Sequence, residues 1–386
     1  MRRRGPYNAG VTKCAAIRPT RVVVDLSAIV ANAAAVAAHA GVDLYAVVKA
    51  DAYGHGAVPV ARALERAPGV AGLAVSLVEE GVELRDAGVA APVLVMGPSL
   101  GGAHAEVVAR GLTPVVSDPA DLERFAAVGR ARGAPVAVHV KLDTGMHRLG
   151  IAPEAAVGAC APRDGLVVEG ICTHLASADA DDPADPDSPT RRQLARFDAA
   201  LAALTAAGRR PPIAHAANSA GALRFAARYD RVRPGLALYG AAAGPVSLAP
   251  ALEFASAIAQ VRDVPAGGRV SYGGLWTATR PTRAAVVPVG YADGYPRNLT
   301  GRADVLVAGR RCPVIGAVSM DMILVDVTDL GDAVAVGQPV ILIGSDGRER
   351  ISVVEFAAGA GISAYEVTCG ISKRVPRTYR GGGADA

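Results

Sequence analysis

Lys49 ends an apolar run, Leu44-Tyr45-Ala46-Val47-Val48, and opens a turn-forming stretch that holds Asp51, Tyr53, Gly54, His55 and Gly56. The run reads as a buried strand and the glycines as a loop leaving its end. A lysine at that junction carries its amine on a rigid element, facing the loop side. Partly desolvated there, the amine can be neutral at working pH, and a neutral amine forms a Schiff base with an aldehyde. The plain alternative is a lysine that closes a strand and points into water.

The elements that would position such a lysine follow from periodicity. Strand candidates lie at 44–49, 72–76, 93–97, 112–116, 136–142, 168–174, 213–217 and 229–233. Alanine-rich helical patterns fall between them, among them Pro59–Arg66, Val78–Ala87, Pro119–Arg132 and Arg191–Ala207. Ser117-Asp118-Pro119 is a helix start signal. Eight strands alternating with helices predict an α/β fold, a (β/α)8 TIM-type barrel, with a doubly wound open sheet as competitor. No G-x-G-x-x-G opens a helix, which disfavours the competitor.

Beyond residue 245 short strands separated by Gly, Pro and Asp predict a mostly β domain. The expected organisation is a disordered basic leader over 1–20, a barrel over 21–243 and a β domain over 244–386. The early strand Arg21–Asp25 is a candidate to pair with that second domain. Residues 179–189, acidic and proline-rich, read as a solvated loop.

Chemistry in a barrel gathers at the carboxyl ends of its strands. Those ends hold Lys49, Met96, Lys141 with Asp143, Thr173 with His174, Asn218 with Ser219, and Arg233. After the last strand, Arg233-Pro234-Gly235-Leu236 can offer free backbone N–H groups to an anion. Ser219 and Gly235 fall after the seventh and eighth strands, where barrels frequently hold phosphate. The rim thus offers an amine for an aldehyde and a cradle for a phosphate. Pyridoxal 5'-phosphate carries both groups.

The totals bound the rest. Net charge is +4 in 386 residues, 51% of them apolar and 4% aromatic. The basic residues form no stripe with interleaved aromatics, which disfavours a nucleic-acid partner. No apolar run is long enough to span a bilayer. The leader carries Arg2, Arg3, Arg4, Lys13 and Arg18 without the apolar core of a signal peptide, so a targeting role is the lesser reading. Five widely spaced cysteines include no C-x-x-C pair, which disfavours a metal site or disulfide framework and suits a cytoplasmic setting.

From about residue 20 to 380 the chain resembles bacterial alanine racemases. The carriers are AVVKADAYGHGA (46–57), HVKLDTGMHRLG (139–150), THLASAD (173–179), HAANSA (215–220), RVRPGLALYG (231–240), SYGG (271–274), VGYADGYPR (289–297), VSMDM (318–322) and AYEVTCGISKRVPR (364–377). The resemblance implies that Lys49 binds pyridoxal phosphate and then serves as one catalytic base, with Tyr291 as the second on the opposite face. A free phenol, with a pKa near ~10, is a poor base, so it needs a supporting partner. The resemblance supplies His174, tied to Arg233, and places that arginine at the pyridine nitrogen of the cofactor. It gives Arg148 a place near the cofactor oxygen and the substrate carboxylate, and makes Lys141 a candidate for carbamylation.

Phosphate and cofactor contacts map by the same resemblance onto Tyr53, Asn218, Ser219, Gly235, Leu236 and Tyr365, and substrate contacts onto Met320 and Asp321. It further implies a homodimer in which the partner supplies Tyr291, Met320 and Asp321. Three positions depart from the family's pattern: His147, Ser319 and Ala317, where a small residue, a cysteine and an arginine are frequent.

The implied activity is interconversion of L- and D-alanine, feeding cell-wall peptidoglycan. Serine or another small amino acid is an alternative substrate, and a related barrel decarboxylase an alternative enzyme. Arg233 disfavours the decarboxylase, which calls for an acidic partner to the ring nitrogen. A non-catalytic cofactor carrier would resemble the barrel alone.

Overall fold

The computed structural model describes residues 17–225 and 227–382. The chain divides into two compact units. One holds Val24–Leu252, Ile362–Gly370 and the segment from Tyr379; the other holds the segment up to Val23, Glu253–Gly361 and Ile371–Thr378. Tyr365, placed by sequence in the β domain, therefore belongs to the barrel unit.

The barrel unit begins with helix α1 (Leu26–Ala40). Asp25 caps it by accepting from Ala28 N, and Gly41 ends it with a left-handed φ of 68°. Seven parallel strands follow in sheet order: β2 (Leu44–Val47), β3 (Val70–Val75), β4 (Val93–Val95), β5 (Thr113–Val116), β6 (Val136–Lys141), β7 (Leu166–Cys172) and β8 (Ile213–His215). β1 (Arg21–Asp25) lies in the other sheet. Val- and Leu-rich strands buried on both faces are what a helix-wrapped parallel sheet requires.

The expected eighth strand is reduced to Arg231-Val232. It bridges in parallel to His215 on one side and to Leu44 on the other. Tyr45 N donates to Val232 O and Val47 N to Pro234 O, so the ring is closed by a short seam. The helix signal at Asp118-Pro119 holds: Asp118 caps Pro119–Arg132, which ends at Gly133 with φ 70°.

In the other unit the sheet order is β10-β13-β16-β15-β14-β17-β9-β1-β19. These strands are β9 (Leu252–Ala257), β10 (Gln260–Val264), β13 (Thr282–Val287), β14 (Asp304–Val307), β15 (Arg310–Ile315), β16 (Ile323–Asp326), β17 (Pro339–Asp346) and β19 (Arg377–Arg380). The short pair β11 (Arg269–Val270) and β12 (Trp276–Thr277) and the strand β18 (Glu349–Ile351), on β17, complete the unit. Its core includes Val270, Ala284 and Ile315, with Trp276 packed against them. The expected pairing of Arg21–Asp25 with this sheet is observed.

Of the leader expected over 1–20, residues 1–16 lie outside the described residues. Residues 17–20 do not behave as a leader. Thr20 is fully buried, its Oγ1 donates to Pro288 O at 2.7 Å, and Arg18 clasps Asp293 with two hydrogen bonds.

Candidate active site

β2 delivers Lys49 to the rim, and the backbone then turns left-handed. Ala50, Asp51, Ala52 and Tyr53 have φ between 52° and 55°. None is glycine, and each costs roughly 1–2 kcal/mol in that conformation. Tertiary bonds hold the turn. Glu80 accepts from Ala50 N at 2.6 Å through one oxygen, and from Ser76 N and Leu77 N at 2.7 and 2.9 Å through the other. Asp51 accepts from Ala57 N at 2.6 Å. Gly54 lies so close to the Thr368 carbonyl that a Cβ would collide with it. Sequence reasoning missed Glu80, whose signal is its N3 position at the start of Val78–Asp86.

Lys49 opens into a cavity of about 330 Å³ that also receives Lys141, Arg148, His174 and Arg233. A neighbouring recess of about 180 Å³ shares Lys49, His174 and Arg233 and adds Tyr53, Asn218, Ser219, Gly235, Leu236 and Tyr365. Eleven sequence-predicted residues thus converge on one mouth of the barrel. Burial, and secondarily the charge of Arg148, lowers the Lys49 pKa, with Glu80 opposing. The amine is thereby moved toward its nucleophilic, neutral form.

Arg233 is buried beneath the cavity. Its Nη2 donates to Thr173 O at 2.7 Å and Ala216 O at 3.1 Å, and stands 3.4 Å from His174 Nδ1. Its Nη1 pairs with His215 Nδ1. Burial first, then Arg233, hold His174 well below the usual histidine range, so its imidazole is neutral. With Nδ1 accepting, the ring proton is assigned to Nε2.

Below this layer, His139 Nδ1 lies 2.8 Å from His215 Nε2, and the Tyr45 ring meets both imidazoles edge-on. This polar barrel interior was also missed; its histidines sit in the quoted motifs without an assigned role.

Lys141 ends β6, buried beside Arg233 and Arg148; burial is the main cause of its lowered pKa. The following loop is built by Asp143, whose Oδ1 accepts from the N–H groups of Gly145, Met146 and His147 at 3.0, 2.9 and 3.1 Å. That carboxylate shapes the backbone that presents Arg148.

Ser219 Oγ accepts from Gly235 N at 3.0 Å and Ala237 N at 3.1 Å, which leaves its own proton free to donate. A Cβ on Gly235 would strike the Tyr53 hydroxyl. The Tyr53 ring lies between Tyr239 and Tyr365, at 5.1 and 5.5 Å. Burial raises the pKa of Tyr53 and Tyr365, keeping both phenols as donors. Asn218 Oδ1 is committed to Gly221 N as a helix cap at 2.9 Å. A small recess ringed by hydroxyl donors and a glycine backbone suits a phosphate.

Tyr291, Met320 and Asp321 come together on the other unit. Tyr291 N donates to Ser319 O at 3.1 Å and Ala292 N to Met320 O at 3.0 Å. Gly290 permits this approach, since a Cβ there would meet both carbonyls. Tyr291 and Met320 are 43% and 51% exposed. Asp321 accepts from Arg374 at 2.7 Å.

Residues 24–243 match the family model for the alanine racemase N-terminal domain and residues 251–379 that for the alanine racemase C-terminal domain. The chain belongs to the alanine racemase family. Members of this family are pyridoxal-phosphate-dependent isomerases. The alanine racemase of Symbiobacterium thermophilum is 48% identical over 377 residues, covering 95% of this chain and 98% of its own. That of Sorangium cellulosum is 45% identical over 354 residues, covering 87% and 91%.

Among solved structures, the alanine racemase from D-cycloserine-producing Streptomyces lavendulae superposes with a TM-score of 0.87 at 36% identity, covering 95% of this chain and 98% of its own. The Bartonella henselae alanine racemase, solved with covalently bound pyridoxal phosphate, gives 0.83 at 29%, covering 94% and 99%. Lys49 and the Ser219–Gly235–Tyr53 recess fit that cofactor on their own geometry, an amine at one end and a phosphate cradle at the other. The family's fold accords with the expected barrel and β domain, the eighth strand being the part the sequence overstated.

Proposed function

We propose that the protein interconverts L- and D-alanine, with Lys49 and Tyr291 exchanging the α-proton on opposite faces of the substrate. The observation that carries this reading is the depressed Lys49 amine in a cavity that continues into the Ser219–Gly235 recess. Pyridoxal phosphate, when bound, acidifies the α-C–H bond. Tyr53, Ser219, Tyr365 and the backbone of Gly235 and Leu236 would hold its phosphate, and Asn218 would support that cradle as a cap.

Lys49, whose amine is shifted toward its neutral form, acts as the base on one face. Tyr291 acts on the other and is supplied by a partner copy, so the active form is a homodimer. His174, neutral and protonated on Nε2, donates to the phenolic oxygen and stabilises it as an anion. Arg233 fixes that tautomer and presents a guanidinium that does not surrender its proton to the ring nitrogen of the cofactor. Arg148, with Met320 and Asp321 of the partner copy, receives the substrate carboxylate end.

Lys141 carries a carbamate. A neutral buried amine adds CO₂ with loss of one proton, and the resulting anion would be favoured by Arg148 and Arg233, whose charges disfavour the protonated lysine. The product D-alanine serves cell-wall synthesis in the cytoplasm. That compartment is supported by the unpaired state of Cys160, Cys172, Cys312 and Cys369.

Incubation with single-enantiomer alanine should abolish optical rotation, and borohydride should fix the cofactor to Lys49. Optical rotation that persists with alanine but decays with serine would move the assignment to another small amino acid. A Lys49→Ala variant that racemises at the wild-type rate would overturn it.

A further inference from the structure

The residues just before β1 make bonds on both sides of Tyr291. Thr20 Oγ1 donates to Pro288 O at 2.7 Å and lies 2.8 Å from Ser256 Oγ. Arg18 Nη1 and Nη2 donate to Asp293 Oδ2 and Oδ1 at 2.9 and 2.6 Å, the forked geometry that fixes a carboxylate in both distance and angle. Asp293 is fully buried. Its Oδ2 also accepts from Gly290 N at 3.1 Å, while Asp293 N donates back to Gly290 O at 2.9 Å, which closes the turn carrying Tyr291.

The same carboxylate reaches the neighbouring loop. Arg374 Nε stands 3.4 Å from Asp293 Oδ1, and its Nη2 donates to Asp321 Oδ1 at 2.7 Å. Two guanidinium groups and two carboxylates thus tie 290–293 to 318–322, reinforcing the backbone bonds from Tyr291 N and Ala292 N.

We propose that Arg18 is a positioning residue for Tyr291, holding the 290–293 turn and the 318–322 loop as one rigid element through Asp293 and Arg374. The proposal deepens the reading of Tyr291 as the second base and rests on it. Two features separate this role from an ion pair that only adds stability. With the Thr20 bond at residue 288, the Arg18 fork at residue 293 brackets a half-exposed tyrosine. And a base that must meet a proton on one face of a substrate loses rate steeply with displacement, roughly 100-fold for about 1 Å.

The test uses the full-length holoenzyme with Arg18→Ala and Arg18→Lys. Arg18→Ala should lower kcat by roughly 10- to 100-fold with KM held within about twofold. With α-deuterated alanine, the isotope effect should rise in the direction in which Tyr291 removes the proton and fall in the reverse direction, because only one of the two proton steps is slowed. Amide exchange, followed by mass spectrometry with and without cofactor, should accelerate in 289–293 and 318–322. Arg18→Lys, which keeps the charge and loses the fork, should fall between.

Unchanged exchange in those segments in both variants, or isotope effects that change alike in both directions, would overturn the proposal. Should Arg18→Ala fail to fold, Arg18→Lys carries the same readouts. Wild-type turnover by Tyr291→Phe would remove the base assignment alone, since the exchange measurement reads the clamp without reference to chemistry.

Discussion

Arg233 Nη2 stands 3.4 Å from His174 Nδ1, and the contact assigns direction as well as proximity. A guanidinium only donates, so the imidazole must accept on that nitrogen and keep its proton on the other. The neutral ring, buried beside a cation, is thereby held with its Nε2–H free to donate.

Arg233→Glu reverses this arrangement, replacing a donor by an acceptor in the same buried place. The expected result is a loss of roughly 100- to 1,000-fold in kcat/KM and accumulation of pyridoxamine phosphate on incubation with alanine, since an acid facing the ring nitrogen would keep it protonated. A variant that is slow but forms no pyridoxamine phosphate would count against the role given to this arginine.

Gly235→Ala tests the phosphate recess. An added Cβ there would meet the Tyr53 hydroxyl and the ring carbon that bears it. Cofactor affinity should fall about 10- to 100-fold, or roughly 1.4–2.8 kcal/mol, with the thermal midpoint of the cofactor-free protein little changed. Fluorescence titration with pyridoxal phosphate reads it; unchanged affinity would remove the recess from the cofactor site.

Glu80→Gln should act on the left-handed turn and on Lys49 together. An amide cannot accept all three N–H groups that the carboxylate serves, so stability should drop by about 1–3 kcal/mol. The carboxylate also raises the Lys49 pKa, so its removal lowers that pKa further. The pH at which cofactor-free protein takes up pyridoxal phosphate should shift downward. An upward shift, or none, contradicts the electrostatic part.

Stability should decline on acidification from about pH 6.5. His139, His174 and His215 are all depressed, His139 to about 3, chiefly by burial. Below the unfolded value only the unfolded chain takes up these protons, so each histidine removes roughly 1.4 kcal/mol per pH unit until its folded value is reached. Urea midpoints between pH 7 and 5 should fall, and His139→Gln should flatten the slope. A midpoint constant over that window is the contrary result.

Much of the barrel was legible because its strands are Val-rich runs and its helices carry ordinary start signals, as at Asp118-Pro119. Arg231-Val232 read as a full strand since apolar content does not reveal how few residues pair. The left-handed turn at 50–53 was hidden for another reason. Alanine and tyrosine have no preference for it, and Glu80, distant in sequence, holds its first residue. Local pattern equally could not join His139 to His215 across 76 residues. The motif residues could be named from the sequence because each ends an apolar run or lies in a quoted segment. Arg18 was misread because a basic stretch at a chain start has the composition of a tail, and its carboxylate partner lies 275 residues on.

The short seam between Leu44 and Val232 also orders events during synthesis. The wall beside Lys49 is closed by Arg231-Val232, made long after β2, and Tyr365 joins the recess later still. A nascent chain that has made only the first strands therefore presents Lys49 in an open trough, without Arg233 or Gly235 to complete it. The recess is therefore a late assembly, drawn from segments as far apart in the chain as Lys49 and Tyr365.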